Sequence, residues 1–439
     1  MHSHLAKLTP AFYQLAKEIE KVTDSDGVIQ RSAGKKLPEV ARSIQHHVFR
    51  ALPPFVEGRK LSTSISLDTN HYTSTNCYNT EQFLYNTHIL RAFNKLIDAG
   101  YITVTNKGWQ NIQTGKSDNT KYRLTSKFRG WLLEQLYALG FKGELYTLVT
   151  DPMLLSKVPV LRVQRRKEGE LSNREPRTEK IPFKPTPLSN QITEDIEALN
   201  RLLAKTWIDL DLTQAGWDEL NKRLAEHKKK DKAKFIRYNE RQLYRVFHDL
   251  EFKTGGRYYG GWWETIPSKF RKHIAINGKA TVEIDYSGLH PAILYAKEGQ
   301  QLPDDPYSQI LGEEHRSLAK KLFNALINAK HDMKTQPRAT KISHTGKSWK
   351  QIKERIYELH APIKEYFCTS AGLWLMHEDS ELATAVMHYF AKQGVACLPV
   401  HDSFIIHHGF EDELRKKMIE LFTEKYGVPP TTKNDAVIR

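Results

Sequence analysis

Val282-Glu283-Ile284-Asp285-Tyr286-Ser287 and Leu398-Pro399-Val400-His401-Asp402-Ser403-Phe404 decide how this chain is read. Each is a short apolar run of the kind that forms a buried strand, and each holds an aspartate near its end. A carboxylate in such a frame is costly unless it meets a cation or a hydrogen-bond donor. Two of them, brought in on adjacent strands, supply the hard oxygen ligands that a magnesium pair needs in phosphoryl or nucleotidyl transfer. The competing reading of Asp285 is an N-cap for the helical run containing Ala292-Ile293-Leu294-Tyr295.

Bulk composition narrows the partners. The chain has 439 residues, enough for more than one domain with its own core. Its 66 Lys and Arg against 51 Asp and Glu give a net charge of +15 and a pI near 9.4. That excess favours a polyanionic partner, nucleic acid ahead of membrane, although some soluble proteins are simply basic. Cys77, Cys368 and Cys397 show neither metal spacing nor a disulfide pattern, which suits a reducing compartment. The first residues lack the apolar core of a signal peptide, and no run approaches the ~18 apolar residues of a membrane span. The expectation is a soluble, cytoplasmic protein with no membrane partner; oligomeric state is left open.

Texture divides the chain. Residues 1–150 mix helix and strand signals. Asn86 to Ala99 has helical spacing, with Ile89, Phe93, Leu96 and Ile97 on one face, and Gly100 is placed to close it. Tyr101 to Thr105 and Lys121 to Thr125 read as strands that pair across a basic loop. Helix, strand, loop, strand is the layout of a winged helix, in which Arg91, Asn94, Lys95, Lys107 and Lys116 supply phosphate and groove contacts. The plainer alternative is a helix on a hairpin, or a winged helix used for protein contacts. Residues 151–190 form a basic, proline-containing linker, with Arg162, Arg165, Arg166 and Lys167 ahead of Pro176, Pro182, Pro185 and Pro187. From 191 to 250 an amphipathic helix over Ile192–Trp207 is followed by a basic run from Lys222 to Arg245. Such a run is either a solvated helix face or a track for a duplex backbone.

Further motifs lie between and before the two aspartates. Thr254-Gly255-Gly256-Arg257-Tyr258-Tyr259-Gly260 puts glycine flexibility around one arginine, and Ile266-Pro267 and Arg271 follow. Arg316-Ser317-Leu318-Ala319-Lys320 opens an apolar helix ending near Asn328-Ala329. Arg316 and Lys320 lie four residues apart and share a helix face, so they can grip a triphosphate, with Lys320 placed to protonate departing pyrophosphate. Trp374 to Leu382 contains His377, for which ordinary packing is the plain alternative.

In content and order these segments resemble the conserved motifs of the family A polymerases, the superfamily of bacterial DNA polymerase I and the single-subunit RNA polymerases of phages and mitochondria. The resemblance covers residues of about 250 to 425. It implies an α+β fold for the palm and reduced fingers alone: a right-hand polymerase palm with an antiparallel sheet and reduced helical fingers at 251–439. Ahead of it the residue patterns give the expectation of a thumb-like helical region at 191–250 and the winged-helix-type domain at 1–150. It implies that Asp285 and Asp402 bind two Mg2+ ions, with Mn2+ able to replace them. Arg316, Lys320, His290, Asn328 and Tyr286 would contact the incoming nucleotide, and Arg257, His377 and His401 the primer–template. From the winged-helix layout, Arg91 and Lys95 are expected to contact origin or promoter DNA through the N-terminal region.

The chain departs from the family pattern in places. Asn328-Ala329 stands where relatives carry Tyr-Gly, and His290 where the DNA polymerases carry a glutamate that crowds the ribose 2′-position. Ser403 and Phe404 after the second aspartate are similar instead to the RNA polymerases. The expected activity is template-directed nucleotidyl transfer by a compact DNA polymerase, with primase ability, serving a plasmid, phage or mobile element. Its substrates are a DNA template–primer and nucleoside triphosphates. A single-subunit RNA polymerase or primase is the alternative within the class. A winged-helix replication initiator with a non-catalytic palm is the alternative outside it. A nuclease would need more acidic ligands than gather near Asp285 and Asp402.

Overall fold

The computed structural model describes residues 9–20, 37, 38, 40, 41, 43, 44, 47, 48, 51, 63–65, 86–111, 116–138, 159–166, 178–226, 236, 241–337 and 340–434. Much of the expected basic run, including Lys228, Lys229, Lys230, Lys232, Lys234 and Arg237, lies outside them, as does Cys77.

In chain order the elements begin with α1 (Thr9–Glu20), β1 (Thr63–Ile65), α2 (Asn86–Asp98), β2 (Ile102–Asn106), β3 (Trp109–Asn111), β4 (Lys116–Asp118), β5 (Thr120–Leu124) and α3 (Ser126–Ala138). There follow β6 (Leu161–Arg166), β7 (Thr178–Lys180), α4 (Pro187–Lys205), β8 (Ile208–Leu210), α5 (Gln214–Glu226), β9 (Tyr244–Phe247), β10 (Gly255–Tyr259) and β11 (Ile274–Ile276). The last part holds β12 (Lys279–Tyr286), α6 (Leu289–Lys297), α7 (Arg316–Asn328), α8 (Trp349–Leu359), α9 (Ala371–Lys392), β13 (Leu398–Val400), β14 (Ser403–His407), α10 (Glu411–Tyr426) and β15 (Thr432–Asn434). The class is α+β. Among the described residues no helix is long and apolar enough to cross a membrane.

The chain divides into two compact units. The first comprises Met1–Val160, Leu203–Gln242 and Gly260–Gly278; the second comprises Leu161–Leu202, Leu243–Tyr259 and Lys279–Arg439. In the first unit the apolar spacing of α2 buries Ala92, Phe93 and Leu96. The helix ends as glycine dictates: Gly100 sits at φ +73, with its N–H on the Ile97 carbonyl and the Tyr101 N–H on that of Leu96. β1, β5 and β2 form an antiparallel sheet in that order. Tyr122 on β5 lies edge-on to Phe93 at 5.2 Å between ring centroids, and its hydroxyl donates to the His47 carbonyl.

Two corrections concern the middle of the chain. Leu161–Arg166 is a strand of the second unit rather than part of an irregular linker: it pairs parallel with β9 and antiparallel with β7. Its Arg162 is buried and stacks over the Tyr244 ring at 3.4 Å. Arg241 and Arg245, at the end of the basic run, are buried too, so neither tracks a duplex. Arg241 donates to the Thr206 carbonyl, and Arg245 to the Gly256 carbonyl, Ser380 Oγ and Glu381.

The second unit is organised by β12. Its residues alternate between faces, as the two-residue period of a strand requires. Val282, Ile284 and Tyr286 are buried on one face, where the Tyr286 ring stands 6.1 Å from Phe422 of α10 and its hydroxyl donates to the Met418 carbonyl. Thr281, Glu283 and Asp285 take the other face. β14 and β15 both pair with β12 antiparallel, and β13 pairs with β14. α9 packs its Leu375, Leu382, Ala383, Val386, Met387 and Phe390 inward at three- and four-residue spacing.

A buried histidine ties α8 to this unit. His360 is 2 % exposed, accepts from the Tyr295 hydroxyl at Nδ1 and lies 2.9 Å from the Pro306 carbonyl at Nε2. Burial pulls its pKa down from 6.5 to about 4, against a smaller upward pull from the Pro306 carbonyl. The unfolded chain therefore takes up a proton before the folded one does as pH falls. The stability this group supplies is complete well above pH 6.5 and is lost between 6.5 and 4. Urea unfolding at pH 7 and pH 5 is expected to show a loss of about 2 kcal/mol that the His360→Gln variant does not show.

Candidate active site

Asp285 and the Asp402 turn meet at the end of β12. The antiparallel register sets Asp285 opposite Ser403, and the Tyr286 N–H donates to the Asp402 carbonyl at 3.3 Å. His401 and Asp402 form the two-residue turn between β13 and β14, closed by the Val400–Ser403 pair. His401 adopts φ +57, a left-handed conformation that costs a non-glycine residue about 1–2 kcal/mol. Ser403 Oγ donates to Glu283 Oε1 at 2.7 Å, with the Val400 carbonyl 3.0 Å away, pinning the turn to β12. The serine that is similar to the RNA polymerases thus has a structural task here.

Asp402 sits among charges. Burial raises its pKa, the Asp379 carboxylate adds to the rise, and Arg257 and His290 oppose it. Arg257 reaches this place because of the glycines before it. The β9–β10 pairing shifts register between Gly255 and Arg257, a bulge that re-aims the following side chain. Gly255 and Gly256 stand at φ +78 and +87. A Cβ on Gly256 would lie 2.7 Å from the Phe247 ring and 2.8 Å from Ser380 Oγ. Past the bulge, Arg257 Nε donates to Asp379 Oδ2 at 2.7 Å, and Nη2 lies 2.5 Å from the same oxygen and 3.2 Å from His290 Nε2.

The helix α7 contributes cations at its first turn. Arg316 Nε donates to the Asp305 carboxylate at 3.2 and 3.3 Å. Burial works against the charge on Asp305, yet hydrogen bonds from Ser308, the Tyr307 and Ser308 amides and Arg316 hold its pKa at about 2. Arg316 and Lys320 approach the Tyr307 ring at 5.4 and 5.9 Å. Burial pushes the Tyr307 hydroxyl up to about 12, with Arg316 opposing and the carboxylates of Asp305 and Asp402 adding. Tyr307 thus feels both α7 and the Asp402 turn. Lys320 itself is exposed.

Asp402 thus feels Arg257 and His290, Arg316 and Lys320 flank Tyr307, and Asp285 joins the Asp402 turn through the β12–β14 register. Most of the other expected contacts lie elsewhere. Tyr286 is 1 % exposed on the helix-covered face of β12 and has no edge free for a nucleotide. Asn328 donates to the Asn324 carbonyl at the end of α7, and its side chain fills the space a Cβ on Gly372 would need. His377 is half-buried 6.3 Å from the Phe247 ring, its Nδ1 without a hydrogen-bond partner among the described residues. Burial pulls the His377 pKa down; Glu381 opposes this and Arg245 adds to it. His401 is exposed at the turn. Arg91 and Lys95 lie on α2 in the first unit, Arg91 exposed and Lys95 half-buried.

Asp379, Tyr307 and Asp305 were missed in the sequence. Asp379 had a readable signal: it falls on the apolar stripe of α9, four residues after Leu375 and three before Leu382, where a charge needs a partner. Among the described residues no set of three or more His, Cys, Asp and Glu side chains is grouped to hold a metal ion. No protein-family model matches the chain, and no curated protein is returned as a relative.

The glycine before Arg257 offers a direct check of this geometry. Gly256→Ala combines a left-handed backbone with overpacking against Phe247 and Ser380, and is expected to destabilise the protein by about 2–4 kcal/mol. Denaturant unfolding measures it; a loss below ~1 kcal/mol would show that the bulge is not held as described.

Proposed function

We propose that the chain is a template-directed nucleotidyltransferase with a family A-like polymerase palm, acting as a compact DNA polymerase. The observation that supports this most is the β12–β14 register: Asp285 at a strand end opposite Ser403, beside a turn that carries Asp402. Paired carboxylates from adjacent strands are what metal-assisted nucleotidyl transfer uses. Arg257 beside Asp402, and the Arg316–Lys320 face of α7 within reach of Tyr307, add the cations that a triphosphate and a primer end require.

The donor set fits magnesium. Both aspartates offer hard oxygens, and magnesium is commonly held by one or two protein carboxylates, with water and substrate phosphates filling the rest. Asp285 and Asp402 would hold the ions. Bound there, they supply activation of the primer 3′-hydroxyl and charge neutralisation on the phosphates. Glu283 and Ser403 keep the Asp402 turn in register with β12. Asp305 orients Arg316 at the head of α7, so that the guanidinium is held for phosphate oxygens. Lys320, exposed one turn on, is the proton donor to the departing pyrophosphate. Arg257 faces the terminal base pair, where contacts to shape rather than sequence suit copying of any template.

The helix and antiparallel sheet of the first unit support a winged-helix reading, with exposed Arg91 on the helix that would approach DNA. Paired substitution Arg91→Ala with Lys95→Ala should weaken duplex binding and lower the slope of log affinity against log salt by about 2. Anisotropy titrations at several salt concentrations read this; an unchanged slope rejects a phosphate role for the pair.

Primer extension tests the activity itself. Asp285→Asn and Asp402→Asn should each abolish magnesium-dependent incorporation, by about 1000-fold or more, while template–primer affinity changes little. The same assay with deoxy- and ribonucleotides, with and without primer, separates a DNA polymerase from an RNA polymerase or primase. Undiminished extension by both variants would refute the assignment, and absence of incorporation by the unaltered chain would favour the non-catalytic initiator.

A further inference from the structure

Resting on the reading above, we propose that Asp379 is a positioning residue of the polymerase site: from α9 it fixes Arg257 in one pose against His290, so that the remaining edge of the guanidinium meets the primer end. Nothing in the resemblance assigned Asp379 a part. It is 1 % exposed, in the middle of the apolar stripe of α9. A charge so placed is stable only when paired, and its partner is Arg257 on β10.

The geometry of the pair is specific. Arg257 Nε and Nη2 converge on a single oxygen, Asp379 Oδ2, at 2.7 and 2.5 Å. Nη2 also lies 3.2 Å from His290 Nε2. A guanidinium has only donors, so His290 Nε2 accepts, and the imidazole carries its proton on Nδ1. One carboxylate oxygen therefore sets the arginine, and the arginine sets the tautomer of His290. Nη1 takes no protein partner among the described residues, leaving its two N–H groups for a ligand.

A neighbouring arginine shows what a purely structural version looks like. Arg245 on β9 is also anchored by α9, through Ser380 and Glu381, and gives Nε to the Gly256 carbonyl. Its side chain is 3 % exposed, whereas that of Arg257 is 22 % exposed. The helix thus holds one arginine sealed within the unit and one with an accessible edge. The bulge at Gly255–Arg257 is what separates their directions.

Single-nucleotide primer extension with Asp379→Asn, Arg257→Met and the double variant tests this, with melting temperature measured on each. Asparagine keeps the size of Asp379 and one acceptor but removes the charge. Asp379→Asn should lower kcat about tenfold or more while moving the nucleotide KM less than about threefold. Arg257→Met should lose at least as much, and the double variant no more than Arg257→Met alone, because the first residue acts through the second. The double variant also relieves the uncompensated charge, so its melting temperature should exceed that of either single variant while its rate stays low. Recovery of the rate together with the melting temperature would mean that the pair only holds the fold, and would overturn the proposal. So would an Asp379→Asn variant as fast as the unaltered chain, or losses that simply add. Either result would leave the polymerase reading standing, with Asp285→Asn as the inactive control. An unaltered chain that incorporates nothing with Mg2+ or Mn2+ would overturn both.

Discussion

The pairing of β12 with β14 is the constraint on which the second unit depends. Side chains alternate along a strand, so a shift of one residue would exchange the two faces of β12. Asp285 would then turn toward α10, and Ile284 and Tyr286 would turn away from it. Burial enforces the observed register: Val282, Ile284, Tyr286, Phe404 and Ile406 are all within 6 % exposure on the helix-facing side. Each such side chain contributes about 1.5–3 kcal/mol, far more than a slipped pairing could recover. The Ser403–Glu283 hydrogen bond repeats the same choice on the opposite face. The hydrophobic pattern therefore fixes where the carboxylates emerge.

Around this frame the protein keeps several charges out of water, which is unfavourable unless each is matched. Asp379 with Arg257, and Arg245 with Glu381, are matched across α9 and the β9–β10 hairpin. Breaking a buried pair by removing one partner typically costs about 3–5 kcal/mol, whereas replacing both with neutral groups can be close to neutral. Stability alone would therefore be served as well by apolar residues. Arg257 differs from Arg245 in keeping part of its guanidinium accessible, with its side chain 22 % exposed. Arg245, only 3 % exposed, has no such edge and acts as a strut.

The sequence made the strands, the α2 stop at Gly100 and the alternation of β12 legible, because periodicity and glycine chemistry act locally. Asp285, Asp402, Arg257 and Arg316 stood out for the same reason: charge in an apolar frame or next to glycine is visible without a fold. What escaped was relational. Tyr286 looked available beside Asp285, but adjacency in a strand means opposite faces. Asn328 looked like a ligand at a helix end, but Gly372 on a distant helix offers its side chain a closer place. Leu161–Arg166 looked like a linker, because a parallel strand partner 84 residues on leaves no mark in a short window. Asp305 gave no signal, since its role is to orient an arginine eleven residues away.

The same contrast bears on His290. A histidine at 290 would seem, from side-chain volume, to crowd the nucleotide ribose as a glutamate does. In this protein the ring is held as a hydrogen-bond acceptor toward Arg257, and its negative counterpart is supplied from α9 by Asp379 rather than from α6. A carboxylate at position 290 would bring a second negative charge beside Asp379 and compete for the same guanidinium. His290 and Asp379 are thus a matched arrangement: the carboxylate holds the guanidinium from which the imidazole accepts.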